Sequence, residues 1–174
     1  MVSAMTTLPT SPEQLFVHLE GLGIRTQTVK HPPVFTVEEA KALRGDLPGA
    51  HIKNLFLRNK KGEMWLVVAE ESRTIDLKAL GARLDAGRLS FGSPERLMTH
   101  LGVAPGAVTP FALINDRPGQ VRVAIDKAVL EQDPVNCHPL TNDMTTAIAP
   151  QDLLTFLERS GHKPLILDLG NGAA

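Results

Sequence analysis

The sequence predicts an α+β fold on a mixed or antiparallel sheet. Capped helix starts alternate along the chain with short β-branched and apolar runs, and some of those runs face each other across polar, glycine-containing turns. Hairpins interspersed with helices do not fit a doubly wound parallel sheet, whose strands are separated by helical crossovers. At 174 residues the chain (1–174) suits one domain and is long enough to bury a core.

The elements follow in order. Ser11-Pro12-Glu13-Gln14-Leu15 opens a helix: a capping hydroxyl, a proline with preset φ, and an acid at the positive helix end. Leu15, Phe16, Leu19 and Leu22 share one face, and Gly21 and Gly23 stop it. Ile24 to Val29 reads as a strand. Thr36-Val37-Glu38-Glu39 fits a capping box for a second helix to Leu43 or Arg44, ended at Gly45. His51 to Arg58 and Glu63 to Ala69 flank Asn59-Lys60-Lys61-Gly62 as a hairpin. Asp76 caps a helix through Leu84, and Ser93-Pro94-Glu95 opens another to Leu101, closed by Gly102. Phe111 to Ile114 and Val121 to Ile125 flank Asn115 to Gln120 as a second hairpin. Met144 to Ile148 and Leu165 to Leu169 complete the strands, with a helix from Pro150 to Arg159 closed by Gly161. Met1 to Thr10 and Gly170 to Ala174 read as frayed ends.

Eighteen basic and 19 acidic residues leave a net charge of −1, which argues against coating nucleic acid or anionic membrane by bulk charge but permits a local basic patch. A single cysteine, Cys137, excludes an intramolecular disulfide framework and a multi-cysteine zinc site. No basic-then-apolar leader and no apolar run near ~18 residues are found, so neither a signal peptide nor a membrane span is expected, and a cytoplasmic location is. The GxGxxG, GxxxxGK[ST], GxSxG and HExxH patterns are absent. The six histidines form no i,i+3 or i,i+4 pair, so no metal is expected. Cys137 directly precedes His138, but adjacent side chains of an extended segment point to opposite faces, and Cys137 reads better as a small buried residue than as a nucleophile.

Chemistry could reside in three stretches. The first, His51 to Lys61, has no acid between Asp46 and Glu63 and carries Lys53, Arg58, Lys60 and Lys61. Lys60 and Lys61 suit a solvated hairpin. Lys53 sits among apolar neighbours, where a cation needs a partner; a phosphate would serve, in a contact worth roughly 1.5–3 kcal/mol. The second, Gly102 to Pro110, holds two glycines and two prolines in a rigid loop; it reads as a plain helix-to-strand connector or as a place where a ligand approaches backbone closely at Gly106. The third, Asn136 to Thr146, is polar and loop-like, with small side chains able to touch a ligand or merely to form turns.

In this order, His31-Pro32-Pro33-Val34-Phe35-Thr36, Lys53-Asn54-Leu55-Phe56-Leu57, Gly106-Ala107-Val108-Thr109-Pro110, and His138-Pro139-Leu140 through Thr145-Thr146 make a recognisable set. The chain resembles the prolyl-tRNA editing (YbaK-like) family over about residues 11–169, and is most similar to its freestanding branch acting on alanyl-tRNA(Pro). The resemblance implies a mixed, largely antiparallel, barrel-like sheet with surrounding helices. It also implies a hydrolase that removes a wrong amino acid from tRNA by water attack on the ester, without a cofactor. Carried over residue by residue, the resemblance assigns catalysis to Lys53 (which holds the terminal adenosine and its phosphate), Gly106 and His138. It assigns substrate binding to Asn54, Ala107, Val108, Thr109, Pro110 and Thr145. The implied partners are the acceptor end of tRNA(Pro) and, more loosely, prolyl-tRNA synthetase; neither DNA nor a membrane is implied. The rival readings are a deacylase for cysteinyl-tRNA(Pro) or another small amino acid, and a non-catalytic tRNA-binding module.

Overall fold

A computed structural model of the chain describes residues 9–44 and 47–169. Gly45, the expected stop of the second helix, lies outside the described residues, as do the proposed frayed ends except Pro9 and Thr10. The described elements, in chain order, are α1 (Pro12–Gly21), β1 (Thr26–Lys30), α2 (Val37–Arg44), β2 (Ala50–Arg58), β3 (Met64–Glu70), α3 (Leu77–Arg83), β4 (Ser90–Phe91), α4 (Pro94–Leu101), β5 (Val121–Asp126), α5 (Lys127–Leu130), β6 (Val135–Cys137), β7 (Met144–Ile148), α6 (Pro150–Arg159) and β8 (Leu165–Leu167). Two short 3-10 segments, Pro105–Ala107 and Pro110–Asn115, lie between α4 and β5.

The caps work as the sequence implies. Ser11 and Gln14 exchange hydrogen bonds in a full capping box on α1, Asp76 accepts from the first turn of α3, and Ser93 accepts from Arg96 N on α4. Gly102, in the left-handed conformation, ends α4. The Asn59–Gly62 turn joins β2 to β3 in register from Ile52↔Glu70 to Arg58↔Met64.

The second expected hairpin does not form. Phe111 to Ile114 lies within the Pro110–Asn115 3-10 segment rather than in a strand. Pro110 presets the first turn, Thr109 Oγ1 accepts from Phe111 N, and Phe111, Ala112 and Leu113 are all buried. A short apolar run carries no period that separates a buried strand from a buried helical turn, so local capping decides.

The sheet is mixed and its strand path runs β1-β7-β6-β2-β3-β5-β8, with β4 paired to β2. The pairs β1–β7, β6–β7, β2–β3 and β2–β4 are antiparallel; β2–β6, β3–β5 and β5–β8 are parallel. Strands β3 and β5 are covered on both faces. Met64, Leu66, Val68, Val121, Val123 and Ile125 enter one core with α1, α4 and α6, while Trp65, Val67, Ala69 and Ala124 enter a second with Leu80 of α3. Continuous burial from Met64 to Ala69 is what a strand with two covered faces requires.

Strand β2 carries the geometry of the site. One edge pairs with β3, whereas the other pairs with β6 at Ala50 and His51 and with β4 at Leu57 and Arg58. Between those pairings no described strand lines that edge. At its start, Gly49 (φ +99) lets Ala50 N bond Pro134 O at 2.8 Å; a Cβ on Gly49 would lie 2.1 Å from that same oxygen.

Asp126, 0% exposed at the end of β5, accepts from Glu70 N, Ala128 N and Arg73 Nε. Asp126→Ala strands these donors and is expected to cost about 3 kcal/mol. The check is a urea midpoint lowered at unchanged m-value; a loss below about 1 kcal/mol would show that the buried carboxylate does not hold the β3–β5 corner.

Candidate active site

A cleft of about 350 Å³ opens at the unpaired edge of β2. Its walls come from segments far apart in sequence. Pairing of β1 with β7 places Val29 opposite Thr145, and pairing of β6 with β7 places Cys137 opposite Thr146, so the residues just beyond β1 and β6 converge. His31, Ile52, Asn54, Cys137, His138 and Thr145 all line the cleft.

Both histidines are held in a defined tautomer. His31 Nδ1 donates to Pro32 O (2.8 Å) and His138 Nδ1 donates to Met144 O (3.0 Å), because a carbonyl can only accept. In the neutral rings each Nε2 is therefore an acceptor. That of His31 takes the hydroxyl hydrogen of Thr145 at 2.8 Å, while that of His138 has no hydrogen-bond partner among the described residues. The two rings lie 6.3 Å apart. Burial pushes the His138 imidazolium below the usual histidine range, and the nearby His31 adds to this, against the Met144 carbonyl, which works the other way.

Asn54 ties β2 to the Gly106–Pro110 loop: its Nδ2 donates to Val108 O at 3.1 Å, and its buried Oδ1 has no hydrogen-bond partner. The loop itself stands behind this contact rather than on the cleft wall. Ala107, Thr109 and Pro110 are buried, and the carbonyl of Val108 is already engaged by Asn54. Gly106 permits a close approach: a Cβ there would lie 3.1 Å from both Asn142 Nδ2 and Phe35 Cδ1. Asn142 Nδ2 in turn donates to Val34 O at 2.9 Å, which fastens the loop after His138 to the one after His31.

Lys53 faces away from Asn54. Alternation along β2 puts Ile52, Asn54 and Phe56 toward the first core and Leu55 and Leu57 toward the second, and Lys53 shares parity with the latter. It is half-buried, and its ammonium donates to Arg73 O, beyond β3. It does not line the cleft. Cys137 does, but burial pushes its thiol far up, so it stays protonated and a poor nucleophile at neutral pH.

His31, Asn142 and the buried, cleft-lining Glu71 were not singled out as site residues from sequence. The signal for His31 was its place in the His31–Thr36 run; its partner Thr145 is 114 positions away and is reached only through the β1–β7 register.

Residues 31–156 match the family model of the aminoacyl-tRNA editing domain. The chain belongs to that family. It is 43% identical over 155 residues to the prolyl-tRNA synthetase associated domain-containing protein 1 of Bos taurus, covering 86% of this chain and 90% of that protein. It is 34% identical over 151 residues to the prolyl-tRNA editing protein ProX of Acetoanaerobium sticklandii, covering 86% and 92%. A solved structure titled as a candidate trans-editing enzyme for prolyl-tRNA synthetase superposes with a TM-score of 0.71 at 24% identity, covering 93% of this chain and 98% of that one, and shares the fold. The matched segment of this editing domain runs from His31 through β7 into α6 and so contains every residue that brings the cleft together except those of β1.

With its folded-state pKa depressed, His138 contributes stability that is fully present above the unfolded value near ~6.5 and lost as pH falls toward the folded value. In an NMR titration its ring signals are expected to move below the midpoint of an exposed histidine; a midpoint at or above ~6.5 would contradict the buried, neutral assignment.

Proposed function

We propose that the chain deacylates alanyl-tRNA(Pro), with water attacking the ester that joins alanine to the terminal ribose. The supporting observation is a small cleft presenting two unfilled acceptors, His138 Nε2 and Asn54 Oδ1, in an editing-family domain. At about 350 Å³ it stands at the lower end of small-molecule pockets and suits a small acyl group with part of its ribose. The names of the two curated relatives join this family to prolyl-tRNA and its synthetase, which is the source of the substrate in this reading. A cytoplasmic site of action goes with it; no described helix is long and apolar enough to cross a membrane.

The chemistry needs little from the protein, because an aminoacyl ester is already activated and positioning dominates. Asn54 Oδ1 accepts from the alanyl ammonium group, and its amide, fixed by Val108 O, cannot turn away. Neutral His138 accepts a hydrogen from the attacking water. The water oxygen bonds the acyl carbon, the acyl C–O bond to ribose breaks, and the proton taken by His138 passes to the departing ribose oxygen, leaving alanine and free tRNA. Gly106 sets the spacing between the loop and the Asn142 and Phe35 side, and Thr145 orients His31. Lys53 keeps two ammonium hydrogens beyond the one given to Arg73 O and offers them to a phosphate near the terminal adenosine, outside the cleft.

The test is to charge tRNA(Pro) with alanine, or with cysteine in a parallel arm, add protein and follow the ester. Loss of alanyl ester well above buffer is expected. Asn54→Ala should slow it about 10- to 100-fold, and His138→Ala by about 100-fold or more. Faster loss of the cysteinyl ester would move the assignment to that substrate; tRNA binding with no hydrolysis of either would make the chain a binding module.

A further inference from the structure

Away from the cleft, a second cavity of about 530 Å³ lies between the first turn of α1, the end of α6 and the segment after the Pro110–Asn115 3-10 turn. Arg117, Arg159, His18, Ser160, Thr10 and Gln14 line it, and no carboxylate does. Both arginines are exposed, and neither has an ion pair or hydrogen bond among the described residues. His18 Nε2 and Ser160 Oγ are buried without a partner. Gln14 Oε1 is taken by Ser11 N, which leaves the Gln14 amide hydrogens to point elsewhere. Unpaired, exposed guanidinium groups with no carboxylate beside them are what a tetrahedral oxyanion satisfies.

The cavity is held in shape from behind. Asp116 Oδ2 and His162 Nε2 meet at 2.9 Å with both side chains 2% exposed, and Asp116 also accepts from Gln120 N and Val121 N. Asp116 directly precedes Arg117, and His162 lies three residues after Arg159, so this buried tie fixes the spacing of the Arg117 loop and the end of α6. Three of the last carbonyls of α6 are already engaged, Phe156 O by Ser160 N, Leu157 O by Ser160 N and His162 N, and Glu158 O by Gly161 N, so it falls to the arginines to outweigh the negative helix end.

We propose that this cavity is a phosphate-binding site, separate from the cleft, that takes a backbone phosphate of the tRNA whose acceptor end occupies the cleft. The choice of tRNA as the source rests on the deacylase reading; the phosphate chemistry does not. The Pro110–Asn115 segment starts beside the loop bonded to Asn54, and its Ile114 lines this cavity, an axial span of roughly 10 Å. A nucleic-acid strand carries several phosphates over such a length.

The test uses the full chain with Arg117→Ala and Arg159→Ala combined. Thermal unfolding is expected to be unchanged, since both side chains are exposed and unpaired. Inorganic phosphate should shift the His18 ring signals of the wild type saturably, and that response should vanish in the double variant. Affinity for uncharged tRNA(Pro) should fall about tenfold, and the slope of log affinity against log salt should flatten by about 1. The maximal hydrolysis rate should stay within twofold. Loss of the phosphate response with unchanged tRNA binding would keep the site and overturn tRNA as its source. No phosphate response in the wild type, with tRNA affinity and salt slope unchanged in the double variant, overturns the proposal. The phosphate titration needs no turnover, so it decides this site even if the chain deacylates nothing.

Discussion

The hydrogen bond from Asn54 Nδ2 to Val108 O ties the cleft-lining face of β2 to the loop behind it and fixes the Asn54 amide. Strand β2 is shared by two parts of the sheet, and its outer edge pairs with β6 at Ala50 and His51 and with β4 and Gly92 from Phe56 on, with no described strand between. From the face of β2 beside that edge, the Asn54 side chain reaches the loop. The same bond orients the amide, so its oxygen becomes the unfilled acceptor. Register matters most through β2: a one-residue slip would exchange the faces of Asn54 and Lys53 and bring the cation to the cleft side.

That alternation keeps the Lys53 ammonium out of the cleft. The chain has a net charge of −1, yet its basic groups are not evenly spread. Lys53 leaves the cleft on the far face of β2, and Arg117 with Arg159 lies beyond the 3-10 segment. The cleft between them is lined mostly by apolar and uncharged polar groups, with Lys30, the depressed-pKa His138 and one buried acid, Glu71. On the two proposals, these outer cations serve the phosphodiester chain, and the unfilled acceptors of Asn54 and His138 serve the ester and the water.

Local chemistry was legible in the sequence, and long-range chemistry was not. Ser11 with Gln14, Asp76, Ser93 and the Asn59–Gly62 turn act within a few residues of themselves, so their roles follow from spacing alone. Phe111 to Ile114 failed because a buried apolar run has no period to read. Asn54, His138 and Thr145 were reached through a family resemblance, and all three line the cleft. The resemblance could not show that Lys53 faces away from Asn54, that the Gly106–Pro110 loop stands behind the cleft wall, or that His31 meets Thr145. Those facts depend on strand parity and on the β1–β7 register, which join residues more than a hundred positions apart.

On the deacylase proposal, the cleft has to prefer a small acyl group over the proline that belongs on the same tRNA. A difference of one or two methylenes is worth only about 1–3 kcal/mol in binding, so discrimination has to come from the walls around Asn54 and His138. The decisive measurement is the ratio of kcat/KM for alanyl-tRNA(Pro) over prolyl-tRNA(Pro) with the same protein preparation. A preference for the alanyl ester of at least about tenfold is expected. Equal rates, or faster loss of the prolyl ester, would contradict a cleft built to remove the smaller amino acid.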